Sequence, residues 1–159
     1  MAMTMKVAGM DQLSAMLMKL GDQAPAVAAV ALYDGAKVMA DAYSRADSQI
    51  RTEPFTHKKD RRLPSPEEKA AVAGKTGVAK FRKGSDDVNT SVGIRKDAGY
   101  VQLGNSTVAV AAIASSINSG TSFMDKQPVY RKAKSTATGA ATGAIISRAE
   151  SEIDRITNT

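Results

Sequence analysis

Few side chains in this chain could do chemistry. The one histidine, His57, stands among cations in "FTHKKDRR" (55–62). A zinc site needs three or four nitrogen, sulfur or carboxylate ligands, and there is no second histidine and no cysteine to share a metal. Thiolate nucleophiles and disulfides are excluded by the same count. Glu67 and Glu68 are adjacent at the predicted start of a helix, where carboxylates complement the dipole and cap the first turn rather than face each other as an acid and base. No Gly-x-Ser-x-Gly elbow and no phosphate loop of the full Gly-x-x-x-x-Gly-Lys-Ser/Thr form occurs. The expectation is a protein that is not an enzyme and uses no cofactor or metal.

Charge is the second chemical feature. Lys and Arg number 22 against 16 Asp and Glu, giving a net charge of +6 and an isoelectric point near 9.6. The cations cluster at Lys58, Lys59, Arg61 and Arg62, at Lys80, Arg82, Lys83, Arg95 and Lys96, and at Arg131, Lys132 and Lys134. Such clusters can follow phosphates through counterion release. Phe55, Phe81 and Phe123 are isolated, so a stacking platform for single-stranded bases is missing, and no recognition-helix motif is evident. A solvated basic face, or one matched to an acidic protein, stays open beside nucleic acid.

The elements that position these residues are legible in part. A chain of 159 residues is most simply one domain with a real core. Aromatic residues make up 4% and Trp is absent, so Ala, Val, Ile, Leu and eight Met must fill that core, Met serving as gap filler. Residues 5–9 suggest a short strand or an extended lead-in. Asp11 as cap with Met10, Leu13, Leu17 and Leu20 predicts a short helix ended by Gly21. Asp22 and Pro25 suggest a fresh start, followed by a long helix to Ile50 with Leu32, Ala36, Met39, Tyr43, Ala46 and Ile50 on its apolar stripe. Residues 51–64 read as a charged loop, longer than a spacer needs to be. Ser65-Pro66-Glu67-Glu68 is a capping box for a helix over 66–73.

Residues 78–104 change to period two, and the turn-like "GSDD" and "KDAG" divide them into a three-stranded antiparallel meander. Ser106 or Thr107 would then cap a helix stopped by Gly120, and Pro128 would begin the last helix, to about 156. Ile146, Ala149, Ile153 and Ile156 mark its expected buried side, with Gly139 and Gly143 read as a close-packing pair. The predicted class is α+β: a long amphipathic helix and a C-terminal helix packed on a small antiparallel sheet. No run approaches the ~20 apolar residues of a membrane span, and the opening "MAMTMKVAGM" lacks a signal-type apolar region, so a soluble protein is expected.

In this order of elements, Gly9-Met10-Asp11, Gly35-Ala36-Lys37-Val38, Thr76-Gly77, Gly120-Thr121-Ser122 with Met124, and Gln127-Pro128-Val129-Tyr130-Arg131-Lys132-Ala133 resemble the tail-completion, or head–tail neck, family of long-tailed bacteriophages. The family's aromatic–Glu pair ahead of the Gly-Thr-Ser turn is Asn118-Ser119 here, and the 51–64 loop is longer than in its simplest members. The resemblance implies a single neck domain over 1–159 that does no chemistry and builds a ring, hexameric by expectation, between head connector and tail. Implied neighbours are head-connector or stopper proteins and tail-terminator or tail-tube proteins, with weak contact to transiting DNA and none to membrane. The implied location is the virion neck, with assembly in the host cytoplasm. Tail terminator and head-closure stopper are near rivals, and a small basic nucleic-acid-binding module is the alternative class. Interface residues expected on this reading are Phe55, Lys58, Lys59, Arg61 and Arg62 in the loop, and Gly120, Thr121, Ser122, Gln127, Pro128, Tyr130 and Arg131 at the turn. Tyr130 and Arg131 are of the types that dominate interface hot spots, although a core tyrosine at a helix start would look the same in sequence.

Overall fold

Ala, Leu and Met fill the first third of the chain, and they form one helix rather than two. A computed structural model describes residues 10–54, 61–80, 82–83 and 88–158. Helix α1 runs Met10–Ser48 without a break, with Pro25 inside it. At 1.5 Å per residue it is roughly 58 Å long. The expected stop at Gly21 and restart at Pro25 are therefore corrected. Proline removes one helical hydrogen bond and crowds the carbonyl four residues back, a cost of about 3 kcal/mol, and that carbonyl belongs to Gly21. The helix nevertheless continues through both residues. Helix α4 (Val129–Thr157) lies antiparallel along α1, since Tyr130 meets Asp47 near one end and Arg148 meets Asp34 farther along. Continued in that register, buried Ile156 stands opposite the turn that holds Pro25.

The helix pair closes tightly at Gly35. A side chain there would meet Ile145 Cγ1, would lie 2.7 Å from Ile145 Cδ1 and 3.0 Å from the Ala141 carbonyl oxygen. Close approach was expected of Gly139 and Gly143 instead. Both face open space, so that expectation is wrong. Ile146 and Ile153 are also exposed, while Ala137, Ala141 and Ile156 are buried. The contact stripe of α4 runs four-spaced through Ala137, Ala141 and Ile145, with Ile156 buried farther along, and Ile146 and Ile153 lie off it.

Among the described residues, three two-stranded antiparallel pairs make up two hairpins. In the first, β1 (Thr76–Val78) pairs antiparallel with β4 (Val92–Ile94), and β2 (Arg82–Lys83) pairs with β3 (Val88–Asn89). The two pairs, ending at Val78↔Val92 and beginning at Arg82↔Asn89, are separate two-stranded ladders. In the second hairpin, β5 (Tyr100–Leu103) turns at Gly104-Asn105 into β6 (Ser106–Ala109). The three-stranded meander is thus corrected: the 3-10 turn Lys96–Ala98 redirects the chain, and β5 finds its partner downstream. Ser106 and Thr107 consequently belong to a strand, not a helix cap. Thr107 and Val108 are β-branched and pair with Gln102 and Val101, which suits a pleated surface better than a first helical turn.

Helix α2 (Pro66–Val72) begins at the predicted capping box, with the Ser65 hydroxyl accepting from the Glu68 N–H and the Glu68 carboxylate accepting from the Ser65 N–H. Helix α3 (Val110–Ser119) follows β6 directly. The core gathers Ala46 at the end of α1 with Ile50 just beyond it, Val72 of α2, Val110, Ile113 and Ile117 of α3, Met124 and Val129. The fold is α+β, two long packed helices with small antiparallel hairpins. Among the described residues, no helix is long and apolar enough to cross a membrane.

Candidate functional site: the turn and the loop base

The Gly-Thr-Ser turn and the base of the charged loop form one hydrogen-bonded frame. Gly120 ends α3 with φ +76°, and a Cβ there would press within 3.1 Å of Lys126. Conformation and space both ask for glycine. The Thr121 N–H donates to the Met124 carbonyl at 3.0 Å, and the Thr121 hydroxyl accepts from the Met124 N–H at 3.0 Å. This side-chain turn closes on itself. Its outer edge then pairs with the loop base, the Arg62 N–H donating to the Phe123 carbonyl (3.0 Å) and the Asp125 N–H to the Arg62 carbonyl (2.8 Å). The two segments run parallel there.

Arg62 is held from its other end as well. Its guanidinium forks onto the Glu68 carboxylate at 2.6 and 2.8 Å, with both side chains largely buried. Burial alone would push the Glu68 carboxyl up. The Arg62 fork and the Ser65 N–H overcome it and hold that carboxyl below the ordinary range. The hydrogen bond to Glu68 likewise raises Arg62 against its own desolvation. The capping carboxylate of α2 therefore also anchors the loop. Glu53 closes the base, its N–H donating to the Pro64 carbonyl and its carboxylate accepting from the Leu63 N–H at 2.7 Å.

Gln127 is buried and clamps the end of α1's connection. Its Oε1 accepts from the Arg51 N–H and its Nε2 donates to the Arg51 carbonyl, both at 2.9 Å, while its own N–H donates to the Ile117 carbonyl. Pro128 precedes α4, and the Asn118 side chain accepts from the Arg131 N–H at 3.3 Å, satisfying one free donor of that helix start. Tyr130 packs edge-on against Tyr43 with ring centroids 5.8 Å apart, and its hydroxyl donates to Asp47 at 2.7 Å. Burial first, and the Asp47 carboxylate next, raise the Tyr130 phenol far above its ordinary value. Asp47 also accepts from the Gly74 N–H.

The expected site residues thus divide. Arg62, Gly120, Thr121, Gln127 and Tyr130 make internal contacts that set the junction. Arg61, Ser122 and Arg131 are exposed on its surface, beside Phe123, which is 57% exposed. Arg61 pairs with Asp125 at 3.5 Å, both half-exposed. Phe55, Lys58 and Lys59, with His57, lie outside the described residues. The sequence reading passed over Asp47, Glu53 and Phe123. Asp47 carried a signal: it follows Tyr43 by four on the buried face of α1, where an acid needs a partner. Compared with protein-family models, with curated proteins and with solved structures, the chain finds no match.

Proposed function

We propose that this chain is a structural subunit of a bacteriophage neck, a tail-completion protein that joins with copies of itself into a ring between head connector and tail. The observation that carries the reading is the shared frame of Arg62 and the 121–125 turn. Two of the motifs that resemble the neck family, Gly120-Thr121-Ser122 and the run from Gln127, fall on or beside that frame, and the frame holds Arg62 and the start of α4 in fixed relation. A ring closes only if each subunit presents the same angle to the next. A bidentate buried ion pair, a self-closed turn and a two-handed amide clamp suit that need. Exposed Phe123 at the rim, between Arg61–Asp125 and the start of α4, supplies an aromatic anchor of the kind found at interface hot spots. On this reading the protein performs no catalysis; complementary surfaces do the work.

The test is electron microscopy of a lysate from phage carrying a stop codon early in this gene. DNA-filled heads and finished tails lying apart are expected. Normal infectious particles would end the neck reading.

A further inference from the structure

The first hairpin carries a groove of about 590 Å³ lined by Gly77, Lys80, Arg82, Gly93, Arg95 and Lys96 among others. Over residues 75–97 the sequence has six cations (Lys75, Lys80, Arg82, Lys83, Arg95, Lys96) and three acids (Asp86, Asp87, Asp97), a net +3 of the chain's +6. Half the net charge therefore sits on one ribbon. Among the described residues, Lys80, Arg82 and Lys96 make no ion pair and all three are exposed.

Arg95 is placed rather than free. Its stem lies across the face of Gly77, where a Cβ would fall 2.7 Å from both Cγ and Cδ. Asp97 holds its Nε at 3.4 Å. Gly77 faces Gly93 across the ladder, and nothing lies within 4 Å of a Cβ at Gly93, so the floor there is open beside the Arg95 side chain. The described lining contains no aromatic residue, and protein interfaces rely on such anchors. A two-stranded ribbon is also of a width that enters the major groove of B-DNA.

The geometry points to this hairpin groove as a site for the sugar–phosphate backbone of duplex DNA, bound without sequence preference, with Arg95 as the positioned cation and Lys80, Arg82 and Lys96 around it. The inference stands apart from the neck assignment. Joining is read by microscopy and duplex binding by titration, so either can fail alone.

The experiment is fluorescence anisotropy of a short labelled duplex of mixed sequence with the whole purified chain. Four phosphate contacts give a salt slope of about −3.6, so affinity should fall roughly 100-fold between about 50 and 200 mM salt. The variant K80A/R82A/R95A/K96A, checked for a native circular-dichroism melt, should lose at least ~10-fold in affinity and most of that slope. The charge-matched variant K19A/K37A/K132A/K134A, altered at exposed lysines of α1 and α4, should bind nearly as wild type does. Gly77→Ala changes no charge yet displaces Arg95, and should weaken binding measurably. Equal weakening by both quadruple variants, a flat salt slope, or a Gly77→Ala protein that binds as wild type would overturn the proposal. Preference for polyglutamate over duplex would overturn it too, and would make the groove a docking surface for an acidic protein.

Discussion

Replacing Gln127 by alanine tests whether the turn is a construction joint or a contact surface. Gln127 is 5% exposed, and its amide satisfies both the N–H and the carbonyl of Arg51. Alanine leaves both backbone groups without a partner, at about 1–3 kcal/mol each when fully buried. Arg51 is exposed, so water can reach the freed groups and the lower end applies, about 1 kcal/mol apiece. The truncated stem removes further buried methylene area, of order 0.8 kcal/mol per group. The sum is about 2–3 kcal/mol, or a midpoint lowered by about 5–10 °C for a chain of this size. Thermal and urea unfolding followed by circular dichroism would measure it, with Gln127→Glu as companion. The carboxylate can still accept from Arg51 N–H but faces its carbonyl with no donor, so it should recover only part of the loss. A Gln127→Ala protein within ~0.5 kcal/mol of wild type, the ordinary range for a surface change, would refute the clamp and return Gln127 to the list of partner contacts.

Three further outcomes follow from the same geometry. Gly35→Ala should destabilise by about 1 kcal/mol, because overpacking of ~1–3 kcal/mol against Ile145 and Ala141 exceeds the helix-propensity gain, whereas Gly139→Ala, which faces open space, should stabilise by up to ~1 kcal/mol; equal signs in the melts would contradict the packing described for α1 and α4. The Glu68 carboxyl is held below its ordinary 4.5, so its stabilising share is complete above that value and disappears as pH falls through the lower folded-state value. Melts from pH 7 to pH 3 should show that loss in wild type, and Arg62→Ala should flatten it. Phe123→Ser should leave the melt within ~0.5 kcal/mol yet fail to restore infectivity to stop-codon phage when supplied in trans; full rescue would remove Phe123 from the interface.

How far the sequence could be read depended on whether local chemistry or a distant partner decided each element. The α2 cap was legible because Ser65, Pro66 and Glu68 act on one another within a single turn. The long amphipathic helix and the start of α4 were legible from spacing. Gly21 and Pro25 are breakers by local rule, yet α1 runs through both; Gly21 itself is exposed, and a Cβ there would meet nothing within 4 Å. Ser106 and Thr107 cap helices well, but Gln102 and Val101 across a two-residue turn claim Thr107 and Val108 for a strand. Gly139 and Gly143 carry the small-residue spacing of close packing, but the close approach falls at Gly35, which has the same four-residue spacing from buried Ala31; spacing alone does not say which of the two pairs meets a neighbour. Arg62 could not be seen as an internal residue from sequence, since it stands in a run of cations that reads as solvent-facing; its partner is the cap residue of a neighbouring helix.

That last point changes what the resemblance to neck proteins would mean. Gly120, Thr121, Gln127 and Tyr130 are the residues that carry the likeness at the turn, and each is engaged within the chain: by a positive φ, a side-chain turn, a backbone clamp and a buried acid. A motif made of such residues encodes an angle between elements rather than a contact with a neighbour. Contacts would then fall to the positions the frame displays, Arg61, Ser122, Phe123 and Arg131, which lie among the motif residues or beside them. These can vary with the partner while the frame stays the same. A subunit that must fit different neighbours on a fixed ring geometry would divide its residues in this way, because changing a displayed side chain costs little stability, whereas changing a frame residue moves every interface at once.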